Sequence, residues 1–176
     1  VSVLMASKSS LASRRNHGCR LKPSLSVDYN CCQILPHLYL GGHEMTTEVD
    51  MLHQLDVSHI LSITVDSYNH FPGEFTYRQF NLLDSAEANL LEILEPAFAI
   101  IDAAKIKGKA AYVHCSFGMS RSPSVVMAYL MKSERISLSA AFQKVKKLRP
   151  VTAPNYGFIE KLVGYEKELF GKFCVM

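Results

Sequence analysis

Three kinds of feature are missing from this sequence, and each absence excludes a class of protein. No apolar run reaches the roughly 18 residues that a membrane-spanning helix requires. The net charge is only +3, and no run of lysine and arginine resembles a surface that binds nucleic acid. No internal repeat is present. With 176 residues, of which 48% are hydrophobic, the chain is expected to fold around one well-filled core.

Cysteine is present, but its pattern indicates neither disulfides nor zinc. The five cysteines are an odd number without regular spacing, and Cys31 and Cys32 are adjacent, with roles that the sequence leaves open. No C-x-x-C pair accompanies histidines at the spacing of a zinc site, so no metal is expected. This pattern is typical of a reducing compartment, and we expect a cytoplasmic or nuclear protein.

The composition divides the chain into a tail, a domain and a short end. Residues 1–28 are rich in serine, contain several basic residues and have no acidic residue before Asp28, so we expect a disordered tail. The same composition is also typical of an organelle transit peptide. Residues 29–171 are predicted to form one domain, and residues 172–176 a C-terminal tail.

Hydrophobic periodicity predicts alternating strands and helices within this domain. Apolar and alternating runs predict a strand pair within 31–42 and strands at 58–64, 75–83 and 109–115. Helical spacing predicts helices at 45–56, 84–108, 122–133, 138–149 and 156–170. We expect N-caps at Thr46 or Thr47, at Ser122 and at Ser137, and a kink or a late start at Pro96.

This order of elements predicts an α/β fold. We expect a single domain with a central mixed, mostly parallel sheet that is flanked by helices. The stretch AAYVHCSFGMSRSPSVV, residues 110–126, reads as a strand, a short loop and the start of a helix. In open α/β sheets, ligands bind beyond the carboxyl ends of the strands, where this loop would lie.

The loop after this strand has the chemistry of a phosphate site. The backbone N–H groups from Ser116 to Arg121 lack helical partners and can surround one anion, with a helix dipole behind them. Gly118 allows a positive φ, and the Arg121 guanidinium can bind two phosphate oxygens. The same field would stabilise a thiolate at Cys115. The alternative is a buried structural cysteine beside a surface arginine, which does not explain the surrounding residues.

The sequence HCSFGMSRS resembles the H-C-x5-R-S signature of the protein tyrosine phosphatase superfamily. The wider run from Val113 to Gly171 resembles the dual-specificity phosphatases, especially small atypical members made of the catalytic domain alone. ILPHLYLGG is similar to the first strands of that catalytic domain. The resemblance extends over residues 29–171 and implies a phosphatase-type phosphate-binding loop between a strand and a helix.

The resemblance implies a role for each matching residue. Cys115 matches the nucleophile that forms a cysteinyl-phosphate, and Arg121 matches the residue that binds the phosphoryl oxygens. Ser122 matches the hydroxyl that helps the thiolate to leave in the second step. His114 matches the residue that orders the loop. Asn155 matches an asparagine that braces the loop, and a helix-capping role for it is equally open.

Phosphate transfer also needs a general acid, and Asp84 lies where the family places it. The alternative is that Asp84 or Ser85 caps the following helix. Glu87 is a weaker candidate, and Asp66 lies in the wrong segment for the match.

The substrate would lie against the loop residues, which are Ser116, Phe117, Gly118, Met119, Ser120 and Arg121. Phe117 and Met119 depart from the family, which usually has a small residue and a branched aliphatic there. Phe117 either lines the rim and stacks on aromatic substrates, turns outward, or narrows access. Because the loop has no lysine, a highly charged inositol lipid is not the expected substrate.

The resemblance therefore implies a protein phosphatase that acts on phosphotyrosine and on phosphoserine and phosphothreonine. It needs no cofactor, and its expected partners are phosphorylated proteins, protein kinases of signalling cascades among them. The alternative is a catalytically silent module that binds phosphoproteins. A phosphatase for RNA ends or glycans is disfavoured because neither a basic patch nor a carbohydrate-binding domain is evident. The oligomeric state is not predicted.

Overall fold

A computed structural model of the chain describes residues 31–171, so the two predicted tails lie outside the described part. The fold is a five-stranded sheet with helices on both faces. The strands are β1 (Cys32–Leu35), β2 (Leu38–Gly41), β3 (Val57–Ile63), β4 (Thr76–Phe80) and β5 (Ala110–His114). The helices are α1 (Val49–Gln54), α2 (Leu91–Ile106), α3 (Arg121–Glu134), α4 (Leu138–Leu148) and α5 (Tyr156–Phe170). A short 3₁₀ helix, His43–Thr47, precedes α1. No described helix is long and apolar enough to cross a bilayer.

The sheet has the order β1-β2-β5-β3-β4 and is parallel except for β1, which pairs with β2 as an antiparallel edge strand. This confirms the predicted mixed, mostly parallel sheet. His114 at the end of β5 pairs with Gly41 of β2 and with Ser62 of β3. Three strands therefore end together at His114, and the loop that follows it begins at the centre of the sheet's carboxyl edge.

The alternation along the buried strands divides the core into two layers. Leu40, Leu61 and Val113 face the larger layer, which contains the apolar sides of α2, α3, α4 and α5. Tyr39, Ile60 and Tyr112 face the smaller layer beside α1. Because β5 is buried on both faces, the loop at its end has a rigid base.

The predicted helix at 84–108 is shorter than expected. It begins at Leu91, and residues 84–90 form a loop. Its predicted apolar face is confirmed, since Leu94, Ala97 and Ile101 are buried and Leu90 is buried just before the first turn. Pro96 lies within the helix on the exposed side, where the lost N–H bond is tolerated. The preceding loop does not join the helix because Asp84 is bonded elsewhere.

Of the three predicted N-caps, one is correct and two are wrong. Ser137 caps α4 by accepting a bond from Ala140 N, and α5 begins at the predicted residue. Helix α3 begins at Arg121, one residue before the predicted cap, so Ser122 lies in its first turn. The predicted helix at 45–56 is a 3₁₀ turn followed by α1, and the hydroxyls of Thr46 and Thr47 donate to carbonyls instead of capping α1.

Candidate active site

The sulfur of Cys115 lies at the bottom of the loop that follows β5. Cys115 is buried, and its Sγ accepts hydrogen bonds from the backbone N–H of Gly118 and from Ser122 Oγ, each over 3.2 Å. Ser122 lies in the first turn of α3, which begins at Arg121, and its hydroxyl points back toward the loop. A backbone amide and a hydroxyl aimed at one sulfur stabilise its anionic form.

The carbonyls of the loop point away from the sulfur and are bonded to other parts of the molecule. The bonds are His43 N to Ser116 O (3.1 Å), Arg149 Nη2 to Phe117 O (2.9 Å), Arg149 Nε to Gly118 O (2.6 Å) and Ala153 N to Met119 O (2.7 Å). With successive carbonyls fixed outward, the amides of the same peptides face inward. Such a ring of N–H groups binds a phosphate-sized anion.

Gly118 has the positive φ that the sequence predicted, at +64°. A Cβ atom here would also collide with the carbonyl of Gly41 and lie 2.7 Å from Arg149 Nη2. The close approach of three chain segments thus requires glycine for reasons of both conformation and space.

Arg149 is the residue of the site that the sequence analysis missed. We placed it only at the end of the predicted helix 138–149, but its side chain turns inward and the residue is only 1% exposed. One signal was available. Ala141, Val145 and Arg149 are spaced by four, so the arginine continues the buried stripe of α4.

Arg121 extends from the loop toward the strand β4 side of the site. Its Nη2 donates to Ser116 Oγ over 3.0 Å, and its Nη1 lies 3.4 Å from the carbonyl oxygen of Leu82. Its Nε lies 3.7 Å from Asp84 Oδ2 and has no hydrogen-bond partner among the described residues. The guanidinium therefore lies between the loop and Asp84, with donor capacity available for a ligand.

Asp84 is the candidate acid whose carboxylate meets the loop. Its Oδ1 accepts bonds from Ser120 Oγ (2.7 Å) and from Asn155 Nδ2 (2.8 Å). The capping alternative is wrong, because α2 begins at Leu91. Glu87 and Asp66 are exposed, and within residues 31–171 neither is bonded to the loop.

Asn155 fulfils both of the roles that the sequence left open. Its side-chain oxygen caps α5 by accepting from Phe158 N over 2.9 Å, while its amide nitrogen donates to Asp84. Its backbone N–H also donates to Ser120 Oγ over 3.0 Å. Ser120 thus joins the loop, the start of α5 and the Asp84 carboxylate, a connection that the sequence did not reveal.

His114 lies beneath the loop, stacked on Tyr112 with ring centroids 5.7 Å apart. Its Nδ1 donates to the carbonyl of Cys115 over 3.4 Å. Burial lowers the pKa of His114 to about 4; the bond to Cys115 opposes this shift, and the nearby His43, His70 and Arg121 add to it. The ring is therefore neutral at neutral pH.

The side chains of Phe117 and Met119 turn toward solvent at the rim of the loop, and Phe117 is 59% exposed. Among the positions that the sequence allowed for Phe117, an exposed one at the rim is observed. Within residues 31–171, no group of three or more histidine, cysteine or acidic side chains is arranged to hold a metal ion.

Comparison with known proteins shows that this chain is similar to the members of one family. Residues 38–168 match the family model described as "Dual specificity phosphatase, catalytic domain". The chain is 36% identical over 149 residues to mouse dual specificity protein phosphatase 19, covering 85% of this chain and 68% of the relative. It is 33% identical over 142 residues to human dual specificity protein phosphatase 1, covering 81% of this chain but only 39% of the relative.

Solved structures agree with the sequence comparison. The crystal structure of human DUSP28 matches with a TM-score of 0.77 and 32% identity, over 83% of this chain and 99% of the other. A mouse putative dual specificity phosphatase complexed with zinc tungstate matches with a TM-score of 0.78 and 30% identity, over 86% and 95%. The chain belongs to the dual specificity phosphatase family, and its described part is the protein phosphatase domain of that family.

Proposed function

We propose that this domain hydrolyses phosphotyrosine, phosphoserine and phosphothreonine in proteins through a cysteinyl-phosphate intermediate. The observation that carries the proposal is the loop around Cys115, in which the carbonyls of residues 116–119 are bonded outward and the N–H of Gly118 donates to the sulfur. A site built in this way holds a phosphoryl group in line with a sulfur nucleophile. Activity on both classes of residue is supported by the names of the relatives.

In the first step, the Cys115 thiolate attacks phosphorus, an S–P bond forms, and the P–O bond to the substrate residue breaks. The loop amides and Arg121 stabilise the charge that spreads over the three remaining oxygens. Asp84 gives a proton to the departing oxygen. Because Asp84 Oδ1 already accepts two hydrogen bonds, Oδ2 is the oxygen that carries this proton.

In the second step, water attacks the cysteinyl-phosphate and the S–P bond breaks. Asp84, now ionised, takes a proton from the water, and the Cys115 thiolate leaves. The Ser122 hydroxyl, 3.2 Å from Sγ, stabilises the charge that returns to sulfur. All groups used in the two steps belong to the chain, and the positive field comes from backbone amides and Arg121.

The experiment is hydrolysis of p-nitrophenyl phosphate and phenyl phosphate without added metal, with and without vanadate. We expect Cys115→Ser to lower kcat by at least about 1000-fold while phosphate binding is retained. Asp84→Asn should lower kcat/KM about 100-fold for phenyl phosphate and much less for p-nitrophenyl phosphate, whose leaving group needs no proton. Inactive wild type that still binds phosphopeptides would support the silent module instead. Equal losses with both esters would remove Asp84 from the role of acid.

We further propose that the substrates are signalling phosphoproteins of the cytoplasm or nucleus. The support is chemical, because the mechanism depends on one reduced cysteine, and the cytoplasm and nucleus keep thiols reduced. Dephosphorylation by protein imported into isolated nuclei or added to cytosol, compared with Cys115→Ser, tests this proposal.

A further inference from the structure

Exposed apolar side chains are concentrated around the phosphate loop. Eight large hydrophobic residues within 31–171 are exposed, and six of them lie at the carboxyl edge of the sheet. We call these six the apolar rim: Val65, Tyr68, Leu83, Phe117, Met119 and Tyr156. The side chains of Tyr68 and Tyr156 are among the most open, with the residues 73% and 79% exposed. Single exposed hydrophobics are common in soluble proteins, but a ring of them around one site marks a binding surface.

The contacts of neighbouring residues fix the rim to three sides of the site. Leu83 precedes Asp84, which is bonded to Ser120. Tyr156 follows Asn155, which is bonded to the same two residues. On the third side, Tyr68 lies 6.4 Å from the ring of His70, which lies 5.5 Å from His43, whose N–H donates to Ser116. The rim therefore lies on three sides of the approach to Cys115.

The charge of the surrounding segments is of one sign. Residues 64–70, 81–90, 115–120 and 150–157 contain three carboxylates and no lysine or arginine. The carboxylates are Asp66, Asp84 and Glu87. A groove of about 380 Å³ beside Asp84 is also acidic, since Glu87 and Glu92 line it together with Leu83.

Three cations of adjacent elements contact the protein itself. Lys161 Nζ donates to the carbonyl of Ala86 over 2.6 Å, and Lys146 Nζ donates to the carbonyl of Thr152 over 2.8 Å. Arg78 lies over the ring of Phe80. Arg121 is directed at the site by its contacts with Ser116 and Asp84, and it is needed for the phosphate that reacts.

From this arrangement we propose that the enzyme selects phosphorylated segments with apolar neighbours and discriminates against neighbouring negative charge, including a second phosphate. The inference rests on the proposed function. Apolar side chains beside the phosphoresidue would be buried on the rim, which stabilises the complex. A second phosphate or a run of acids would face the carboxylates Asp66, Asp84 and Glu87, which repel it. The same carboxylates disfavour an anionic membrane surface as the partner of the rim.

The test is a panel of phosphotyrosine peptides that differ at the two positions on each side. The flanks are leucine, serine or glutamate, and a fourth peptide has serine flanks with one phosphoserine. We expect kcat/KM for the leucine peptide to exceed that for the serine peptide by about tenfold, which corresponds to about 1.4 kcal/mol. The glutamate and doubly phosphorylated peptides should fall below the serine peptide.

The test variant carries three substitutions, Tyr68→Ser, Leu83→Ser and Tyr156→Ser. In this variant the ratio of kcat/KM for the leucine peptide to that for the serine peptide should fall to about twofold or less. Each peptide rate is divided by the rate with p-nitrophenyl phosphate, which corrects for a general loss of activity. The matched control is Ile106→Ser, which changes an 86% exposed residue at the end of α2, before β5 begins. It should leave the preference intact.

A flat or acid-favouring peptide profile in an enzyme that hydrolyses p-nitrophenyl phosphate would overturn this inference and leave the proposed function in place. If the wild-type protein hydrolyses neither p-nitrophenyl phosphate nor phenyl phosphate, the proposed function itself is overturned. Binding to phosphatidylcholine–phosphatidylserine vesicles that the triple variant abolishes, together with a flat profile, would assign the rim to a membrane.

Discussion

The nucleophile and its candidate acid are held in two different ways. The loop of Cys115 is fixed through its own backbone, since its carbonyls accept bonds from His43, Arg149 and Ala153. The loop of Asp84 is exposed, and its carboxylate is held by the side chains of Ser120 and Asn155. The anion site is therefore rigid, whereas the position of the acid depends on a few side-chain bonds at the surface.

The two regions also differ in the free energy that is lost when one of their hydrogen bonds is removed. A buried carbonyl that loses its donor leaves an unsatisfied polar group, which costs about 1–3 kcal/mol. A partly exposed carboxylate that loses one donor can bond water instead, so the cost is smaller. Changes to the backbone anchors should therefore affect stability and activity together, and changes around Asp84 should affect mainly the proton transfer.

The largest effect on stability and activity is expected from Arg149→Met, which removes two hydrogen bonds that hold the Cys115 loop. It leaves the carbonyls of Phe117 and Gly118 without these donors, and we expect a loss of at least about 3 kcal/mol in the free energy of unfolding. kcat/KM for p-nitrophenyl phosphate should fall by about 100-fold, because the amides no longer converge on the phosphate. Urea unfolding and steady-state kinetics measure the two effects.

Two further variants make this prediction decisive. Lys147→Met changes an exposed cation of the same helix turn and should alter neither quantity appreciably. Arg149→Lys keeps the charge but not the fork that reaches both carbonyls, so it should fold better than Arg149→Met and still lose activity. Activity of Arg149→Met within threefold of wild type would show that the loop does not depend on this anchor.

The two regions also differ in how well the sequence predicted them. The Cys115 loop was predictable because its strand, glycine, arginine and helix start are contiguous, and their chemistry depends on short spacings. Arg149 was not, because its bonds join residues 31 and 32 positions apart, and a basic residue after a helix is ordinarily solvated. Local periodicity contains no information on such distant pairings.

The Asp84 region was only partly predictable for the same reason. The sequence located Asp84 but extended the next helix back to it, because SAEAN has adequate helix propensity. The bonds of Asp84 to Ser120 and Asn155, which are 36 and 71 positions away, hold the segment as a loop. Tertiary bonds thus overrode a weak local preference.

The dependence of stability on pH should reveal the buried histidine beneath the Cys115 loop, which the exposed Asp84 region lacks. Burial lowers the pKa of His114 to about 4, below its usual value of 6.5. Between these values the unfolded chain takes up a proton that the folded chain does not, so the free energy of unfolding falls as the pH falls from about 6.5 to about 4, by up to roughly 3 kcal/mol. Burial also lowers the pKa of His37 and of His59, which adds to the effect.

The measurement is urea unfolding of wild type and His114→Asn between about pH 7 and about pH 4.5. The variant lacks the titrating ring, so its stability should decline less over this range, and the difference between the two proteins should shrink as the pH falls. Parallel declines would mean that His114 takes up its proton equally well in the folded protein.

The smallest effect is expected where the acid is held, from Asn155→Ser. Serine keeps the preferred cap for α5 but is too short to donate to Asp84, so the free energy of unfolding should change by no more than about 0.5 kcal/mol. kcat/KM should fall about tenfold for phenyl phosphate and less for p-nitrophenyl phosphate, because a displaced acid matters most when the leaving group needs a proton.

Ser120→Ala removes the other donor and should show the same dependence on the leaving group. A merely structural role would lower both rates equally. In that case Asn155 and Ser120 would support the fold near Asp84 without positioning its proton, and the distinction between a rigid anion site and a side-chain-positioned acid would not hold.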